Sequence, residues 1–216
     1  MSYENNIAVL GAGSWGTAII KMLCENVNEV LWYVRNSDHA NEIIKLKRNP
    51  KYLKNLDIDV NKLVISSDIE MIIQQSNIII LAIPSPYINE SLEKYKSILN
   101  QKIIFSGSKG VIPESHLVIT DHLNKYYNIP YKNLGIISGP THAEEIANEK
   151  LSYLTIGSSN KDICDFLSEK LKSSYIKTSI SKDVIGIEYS AALKNIYSIL
   201  VGISIGLGYG LSLIHI

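Results

Sequence analysis

Two rhythms of apolar and polar positions alternate along the chain. Runs of Ile, Val and Leu occur at residues 7–10, 30–34, 64–66, 78–83, 102–106, 134–138, 153–156 and 176–178. Several, such as IIILAI at 78–83, are apolar without interruption. A strand apolar on both sides belongs in a sheet covered on both faces. Between these runs, apolar residues return every three or four positions at 17–25, 37–47, 69–75, 87–99, 115–127, 142–149 and 162–172. That is the period of a helix with one buried face. The alternation predicts an α/β protein with a doubly wound, mainly parallel sheet, and it leaves the direction of the later strands open. From residue 183 the strand pattern stops and one long apolar helical stretch follows, DVIGIEYSAALKNIYSILVGISIGLGYG. A domain boundary is expected there, with 1–182 as the first domain and 183–216 as the start of a second, too short to bury a core alone.

The long stretch is interrupted by Glu188, Lys194 and Asn195. A bilayer penalises such groups, so the expectation is a buried helix of a soluble protein and no membrane span. The N-terminus has neither a basic n-region nor a long apolar h-region, so no signal peptide is expected. Lys and Arg number 21 against 21 Asp and Glu. The balance gives no reason to expect a nucleic acid or an anionic membrane as partner. Cys24 and Cys164 have no CxxC or metal-ligand spacing. They are expected to be reduced, buried or half-buried thiols of a cytoplasmic protein, with no metal site.

The first apolar run leads into Gly11-Ala12-Gly13-Ser14-Trp15-Gly16, which fits G-x-G-x-x-G between a strand and a helix. In that setting the first glycine permits the tight turn. The second lets a pyrophosphate approach the backbone, and the third lets helix and strand pack closely. The helix N-terminus then offers free N–H groups and a positive dipole end to the phosphates. The pattern points to a Rossmann-type dinucleotide site; the bland alternative is a glycine-rich turn with no ligand. The second run ends in Arg35 rather than Asp or Glu. An arginine there accepts a 2′-phosphate or lies along the adenine, so NADP is tolerated as well as NAD, unless Arg35 is an ordinary surface residue. Trp15 either walls the cofactor site or packs on a neighbouring loop.

In open α/β sheets, ligands lie beyond the carboxyl ends of the strands. LAIPSPY, residues 81–87, closes one strand with Pro84 and Pro86 and is expected to floor the nicotinamide site. FSGSKGVIP, residues 105–113, places Lys109 in a loop between glycines. ISGPTHAEEIA, residues 137–147, places Gly139, Pro140 and Thr141 at a helix start, with Thr141 and Glu144 spaced as a capping box. Lys194 lies inside the long helix with Ser190, Tyr197 and Ser198 on its face. A buried lysine is costly unless paired or facing a wet site, and burial that lowers its pKa suits it to proton transfer. The alternative is a lysine whose stem lies along the helix and whose head reaches water.

Together these segments resemble bacterial NAD(P)-dependent glycerol-3-phosphate dehydrogenase. The matching stretches are GAGSWGTA, the SKG at 108–110, SGPTHAEEIA and GIEYSAALKN, in which Gly186, Glu188, Leu193, Lys194 and Asn195 fit the family pattern. Ketopantoate reductases and 6-phosphogluconate dehydrogenases, which also join a Rossmann domain to a helical one, match less well. The resemblance spans residues 7–210. It implies a Rossmann domain followed by an all-helical substrate domain, and a hydride exchanged between NAD(P)H and dihydroxyacetone phosphate or sn-glycerol 3-phosphate. The product supplies phospholipid synthesis.

The resemblance also implies roles for residues. Gly11, Gly13, Ser14, Trp15, Gly16, Arg35 and Ala143 would bind the cofactor, with Tyr52 a further candidate. Lys109 would touch cofactor and substrate, and Gly139 and Thr141 would line the substrate site. Lys194 would accept the proton during alcohol oxidation and return it in the reverse direction. A homodimer is compatible with the resemblance for the full-length form. The family continues past GLGYG with about a hundred helical residues that grip the substrate phosphate. Here the sequence continues as LSLIHI at 211–216, which does not resemble that segment. The expectation is a truncated reading frame, inactive alone. The competing reading is a dinucleotide-binding fragment or sensor without catalysis.

Overall fold

The structure is a computed structural model that describes residues 6–209. Eight strands form one sheet: β1 Ile7–Leu10, β2 Val30–Tyr33, β3 Leu63–Ser66, β4 Ile78–Leu81, β5 Ile103–Ser106, β8 Leu134–Ser138, β9 Ser152–Ser158 and β10 Ile176–Ser181. Two further strands, β6 Val111–Ile112 and β7 Leu117–Val118, pair only with each other. The helices are α1 Ser14–Asn26, α2 Ser37–Leu46, α3 Ile69–Gln75, α4 Ile88–Leu92, α5 Lys96–Leu99, α6 Ile119–Tyr127, α7 Ala143–Ala147, α8 Lys161–Leu171 and α9 Val184–Gly206.

The strand order is β10-β9-β8-β5-β4-β1-β2-β3. Neighbours from β3 to β8 pair in parallel, β9 runs antiparallel to β8, and β10 is parallel to β9. The sheet is therefore mainly parallel and Rossmann-like, as the alternation implied. Its order reverses between β1 and β4, which opens a crevice at their carboxyl ends.

Both faces of the sheet are covered, which explains strands that are apolar on every residue. Ile7 and Val9 of β1 join one core, with α1, α8 and Trp32, while Ala8 and Leu10 join the other, with Ile72, Leu99 and Leu123. All four β1 residues are buried. Successive side chains of a strand point to opposite faces, so only a doubly covered strand has no polar position.

Three sequence expectations are corrected. The predicted helix 115–127 begins only at Ile119, because its first residues form the β6–β7 hairpin. The N–H groups of Ser115 and His116 both donate to the Ile112 carbonyl, and His116 takes a left-handed φ of 54°. A helix cannot run through that conformation. The predicted helix 87–99 is two short helices joined by a 3₁₀ turn, Glu93–Tyr95, although Ile88, Leu92 and Leu99 keep its buried stripe.

The third correction concerns α9. A buried helix was expected, yet Glu188 is its one buried residue. Ile185, Ile196, Ile199, Leu200 and Ile203 are exposed. The amphipathic helices have a polar face to leave in water, whereas α9 is apolar on nearly every side, and the described residues cover only its first turns. By length and composition α9 could also cross a membrane. The expectation that LSLIHI is foreign falls outside the described residues.

Candidate functional site

The turn from β1 to α1 is held from behind. Trp32 Nε1 donates to the Gly11 carbonyl at 2.9 Å, Asn49 Nδ2 to the Ala12 carbonyl at 3.0 Å, and Thr17 Oγ1 to the Gly13 carbonyl at 2.9 Å. With three successive carbonyls so engaged, the first-turn amides of α1, which have no intrahelical acceptors, face the crevice. The three glycines have different reasons. A Cβ on Gly11, whose φ is +122°, would stand 2.5 Å from the Ala82 carbonyl oxygen, and one on Gly16 would stand 2.2 Å from that of Gly11. A Cβ on Gly13 would meet nothing within 4 Å. No packing demands glycine there, and the space in front of the turn is open to a ligand. The turn therefore fits a pyrophosphate.

Beside the turn lies a cavity of about 630 Å³, lined by Gly11, Gly13, Tyr33, Arg35, Lys51 and Tyr52, among others. Arg35 and Lys51 are cationic, and no described lining residue is an acid. This suits a 2′-phosphate at least as well as a 2′-hydroxyl. The segment 49–52 is built on Asn49, which is fully buried. Its Oδ1 accepts from the backbone N–H groups of Lys51 at 3.1 Å and Tyr52 at 3.2 Å, and lies 2.8 Å from His39 Nε2. The sequence reading missed Asn49 and His39. A lone Asn in KRNPKYL gives no local sign that it will reach back to the glycine turn.

A second cavity, about 410 Å³, lies at the carboxyl ends of β4, β5 and β8 and is lined by Ser14, Trp15, Pro84, Pro86, Ser108, Lys109, Gly139, Thr141 and Ala143. Two buried polar atoms of residues that line it, Trp15 Nε1 and Thr141 Oγ1, have no hydrogen-bond partner among the described residues. Buried polar groups are normally paired, so these are further signs of a polar ligand. Trp15 lines this cavity and also packs on a neighbouring loop, at Gly107, where an added Cβ would stand 2.6 Å from its Nε1. Ser108 Oγ donates to the Ile83 carbonyl at 2.5 Å and joins the two loops. Thr141 is not the helix cap. His142 caps α7, its N–H donating to Glu145 Oε2 at 3.0 Å, which leaves the Thr141 hydroxyl free to face the cavity.

A third cavity, about 670 Å³, adjoins the second and is lined by Lys109, Gly139, His142, Asp183, Ser190 and Lys194. Lys109 lines both. Burial, and then the Lys194 charge, hold its pKa below the usual lysine value. Lys194 was expected inside a buried helix; instead it is exposed and faces this space, because nothing among the described residues packs over that side of α9. The hydroxyls of Ser190 and Ser198 donate to the carbonyls of Gly186 at 2.7 Å and Lys194 at 3.0 Å, so their hydrogens are engaged with their own helix.

A family model described as NAD-dependent glycerol-3-phosphate dehydrogenase N-terminus matches residues 6–164. The chain belongs to this family. The glycerol-3-phosphate dehydrogenase [NAD(P)+] of an Exiguobacterium species is 34% identical over 208 residues, covering 95% of the chain and 60% of that relative. The crystal structure of glycerol-3-phosphate dehydrogenase from Coxiella burnetii is 28% identical and superposes with a TM-score of 0.82, over 95% of this chain and 62% of that one. The Plasmodium falciparum glycerol-3-phosphate dehydrogenase is 26% identical with a TM-score of 0.87, over 96% and 61%. The chain thus spans about three fifths of the length of the curated relatives that it matches.

Proposed function

We propose that residues 1–182 form the cofactor domain, and 183–216 the first helix of the substrate domain, of a cytoplasmic NAD(P)H-dependent enzyme. It interconverts dihydroxyacetone phosphate and sn-glycerol 3-phosphate for phospholipid synthesis, as a homodimer in its longer form. The observation that carries this reading is the place of Lys109, which lines both the cavity of about 410 Å³ that Ser14 and Trp15 of the glycine turn enter and the cavity of about 670 Å³ that Lys194 lines.

Gly11, Gly13, Ser14, Trp15 and Gly16 would hold the pyrophosphate side of the cofactor, Arg35 and Tyr52 the adenosine side, and Lys109 and Ala143 the nicotinamide side. A bound reduced nicotinamide would supply the hydride to C2 of the substrate. As that carbon is reduced, negative charge gathers on the carbonyl oxygen. Lys194, as an ammonium, would stabilise that charge and donate one N–H proton to the oxygen, leaving a neutral amine. Lys109 would touch both the cofactor and the substrate. Gly139 and Thr141 would shape the substrate side. Either NAD or NADP is accommodated, with Arg35 and Lys51 suiting the 2′-phosphate.

The test is a fluorescence titration of the chain with NADH and NADPH, with and without dihydroxyacetone phosphate, while oxidation is followed. The phosphate grip implied by the family lies beyond the matched span. The expected result for these 216 residues is therefore binding with little or no oxidation, and oxidation in a longer form that Lys194→Ala abolishes while binding persists. Failure to bind either nucleotide would overturn the reading. Turnover retained in Lys194→Ala would remove that residue from the chemistry.

A further inference from the structure

Along 23 residues of α9, the single buried side chain is an acid: Glu188 is 4% exposed. Its Oε1 accepts the Thr120 N–H at 3.1 Å, and its Oε2 accepts the Thr120 hydroxyl. Thr120 is in the first turn of α6, where amides lack intrahelical acceptors and the helix dipole favours a carboxylate. Burial still pushes the Glu188 pKa above the usual carboxylate value. A Leu or Ile would fill the space without that cost. What the carboxylate adds is direction, since two hydrogen bonds fix both where α9 touches α6 and how it is turned.

The two ends of this contact lead to the two lysines. Thr120 follows the β6–β7 hairpin, which begins just after Lys109. Glu188 precedes Lys194 by six residues on one continuous helix. The first turns of α9 also pack on β7, β8 and β9, with Ile187 seated against Gly157 of β9, but these apolar contacts carry no hydrogen-bond direction. We propose that Glu188 is a positioning residue, whose carboxylate, locked on the α6 N-terminus, sets where the Lys194 ammonium stands relative to Lys109. This rests on the reading of the two lysines as the working pair of the site.

The test uses the titration of Lys109, which needs neither substrate nor turnover. The 216-residue chain is acylated with limiting acetic anhydride across alkaline pH, and the Lys109 peptide is followed by mass spectrometry. NADPH fluorescence marks folded protein. The other titratable groups lining that cavity, His142, Glu145 and Asp183, are common to all variants. Lys194→Met removes the neighbouring charge, so the Lys109 midpoint should rise and labelling at fixed pH should slow about threefold. Glu188→Ala should do the same, and the double variant should add nothing, as expected of two changes acting through one interaction. Glu188→Gln keeps an acceptor for the Thr120 N–H and should restore the wild-type rate.

A Glu188→Ala protein that binds NADPH and labels Lys109 as the wild type does would overturn the proposal, as would additive effects in the double variant. If Glu188→Ala does not fold, Thr120→Val decides. A smaller shift in the same direction supports the proposal, and no shift overturns it. An unmoved midpoint in Lys194→Met would mean that the lysines do not interact, and the proposed chemistry would fall with the positioning role. A chain that binds no nucleotide but shows the Lys109 shifts would sink the functional reading alone.

Discussion

Asn49 Nδ2 donates to Thr17 Oγ1 at 2.8 Å, across 32 residues of sequence, inside the wall that carries the glycine turn. The same amide nitrogen also holds the Ala12 carbonyl, and the Asn49 oxygen holds the amides of Lys51 and Tyr52. One side chain therefore ties the phosphate turn to the segment beside the adenosine cavity. Asn49→Ala leaves several buried partners unpaired, and the expected loss of stability is about 3 kcal/mol. NADPH affinity should fall further than stability alone explains, because the turn loses its support. Urea unfolding and fluorescence titration check the two effects separately; an unchanged Kd in the folded variant would refute the second.

The glycines of the turn should separate stability from binding. Gly16→Ala places a methyl 2.2 Å from the Gly11 carbonyl oxygen. Helix α1 must move away from the turn, and a loss of about 2–3 kcal/mol is expected. Gly13→Ala meets no neighbour, so its stability should stay within about 0.5 kcal/mol of the wild type. Its nucleotide affinity should nevertheless fall at least about tenfold, because the methyl occupies the ligand's approach. Gly13→Ala that binds NADPH normally would argue against a pyrophosphate at this turn.

Alkaline pH should loosen the fold. Burial, aided by a hydrogen bond to Glu25, pushes the Tyr175 hydroxyl from 10.0 to about 12. Burial pushes the Cys24 and Cys164 thiols from 9.0 to about 11. Each group keeps its proton in the folded chain after the unfolded chain has released it. Stability is then full below about pH 9 and falls as pH rises through 9 to 12. Urea midpoints measured over that range should decline steadily, and a flat profile would contradict the assignment. At neutral pH each thiol carries about a hundredth of the usual thiolate, so alkylating reagents should label the cysteines slowly until urea unfolds the chain.

The exposed side of α9 should make the 216-residue chain self-associate. Ile196, Ile199, Leu200 and Ile203 form an apolar surface of the kind that soluble monomers avoid. Sedimentation velocity should show mass rising with concentration, and Leu200→Glu with Ile203→Glu should suppress it. A clean monomer at all concentrations would refute this expectation.

The sheet was legible because its central strands are buried on both faces, and a continuous run such as IIILAI suits no half-exposed element. The glycine turn and Lys109 were legible because their chemistry is local. Asn49 and Trp32 were not, since each acts on a carbonyl that only the folded chain brings near. The β6–β7 hairpin escaped notice because two-residue strands have no period to detect. The burial of α9 was misjudged for a different reason. Apolar residues on all sides state a need for cover, and whether cover exists depends on what else packs there. Glu188 was visible as a charge inside an apolar stretch and as a letter in a motif; its place against α6 came from the fold.

The antiparallel join of β9 to β8 leaves a geometric signature in α9. Because of it, the last sheet connection ends level with Ile136 rather than at the ligand edge, by the pairing of Ser181 with Gly157 and of Gly157 with Ile136. The helix must therefore carry Lys194 to the crevice by its own length, about 15 Å from Val184. Six residues separate Glu188 from Lys194, which sets them about 120° apart around the axis. One points to α6 while the other points to Lys109. Angular phase is thus the property under constraint in this segment. A single residue inserted between the two would keep every side chain of the site and swing the Lys194 ammonium about 100° out of it.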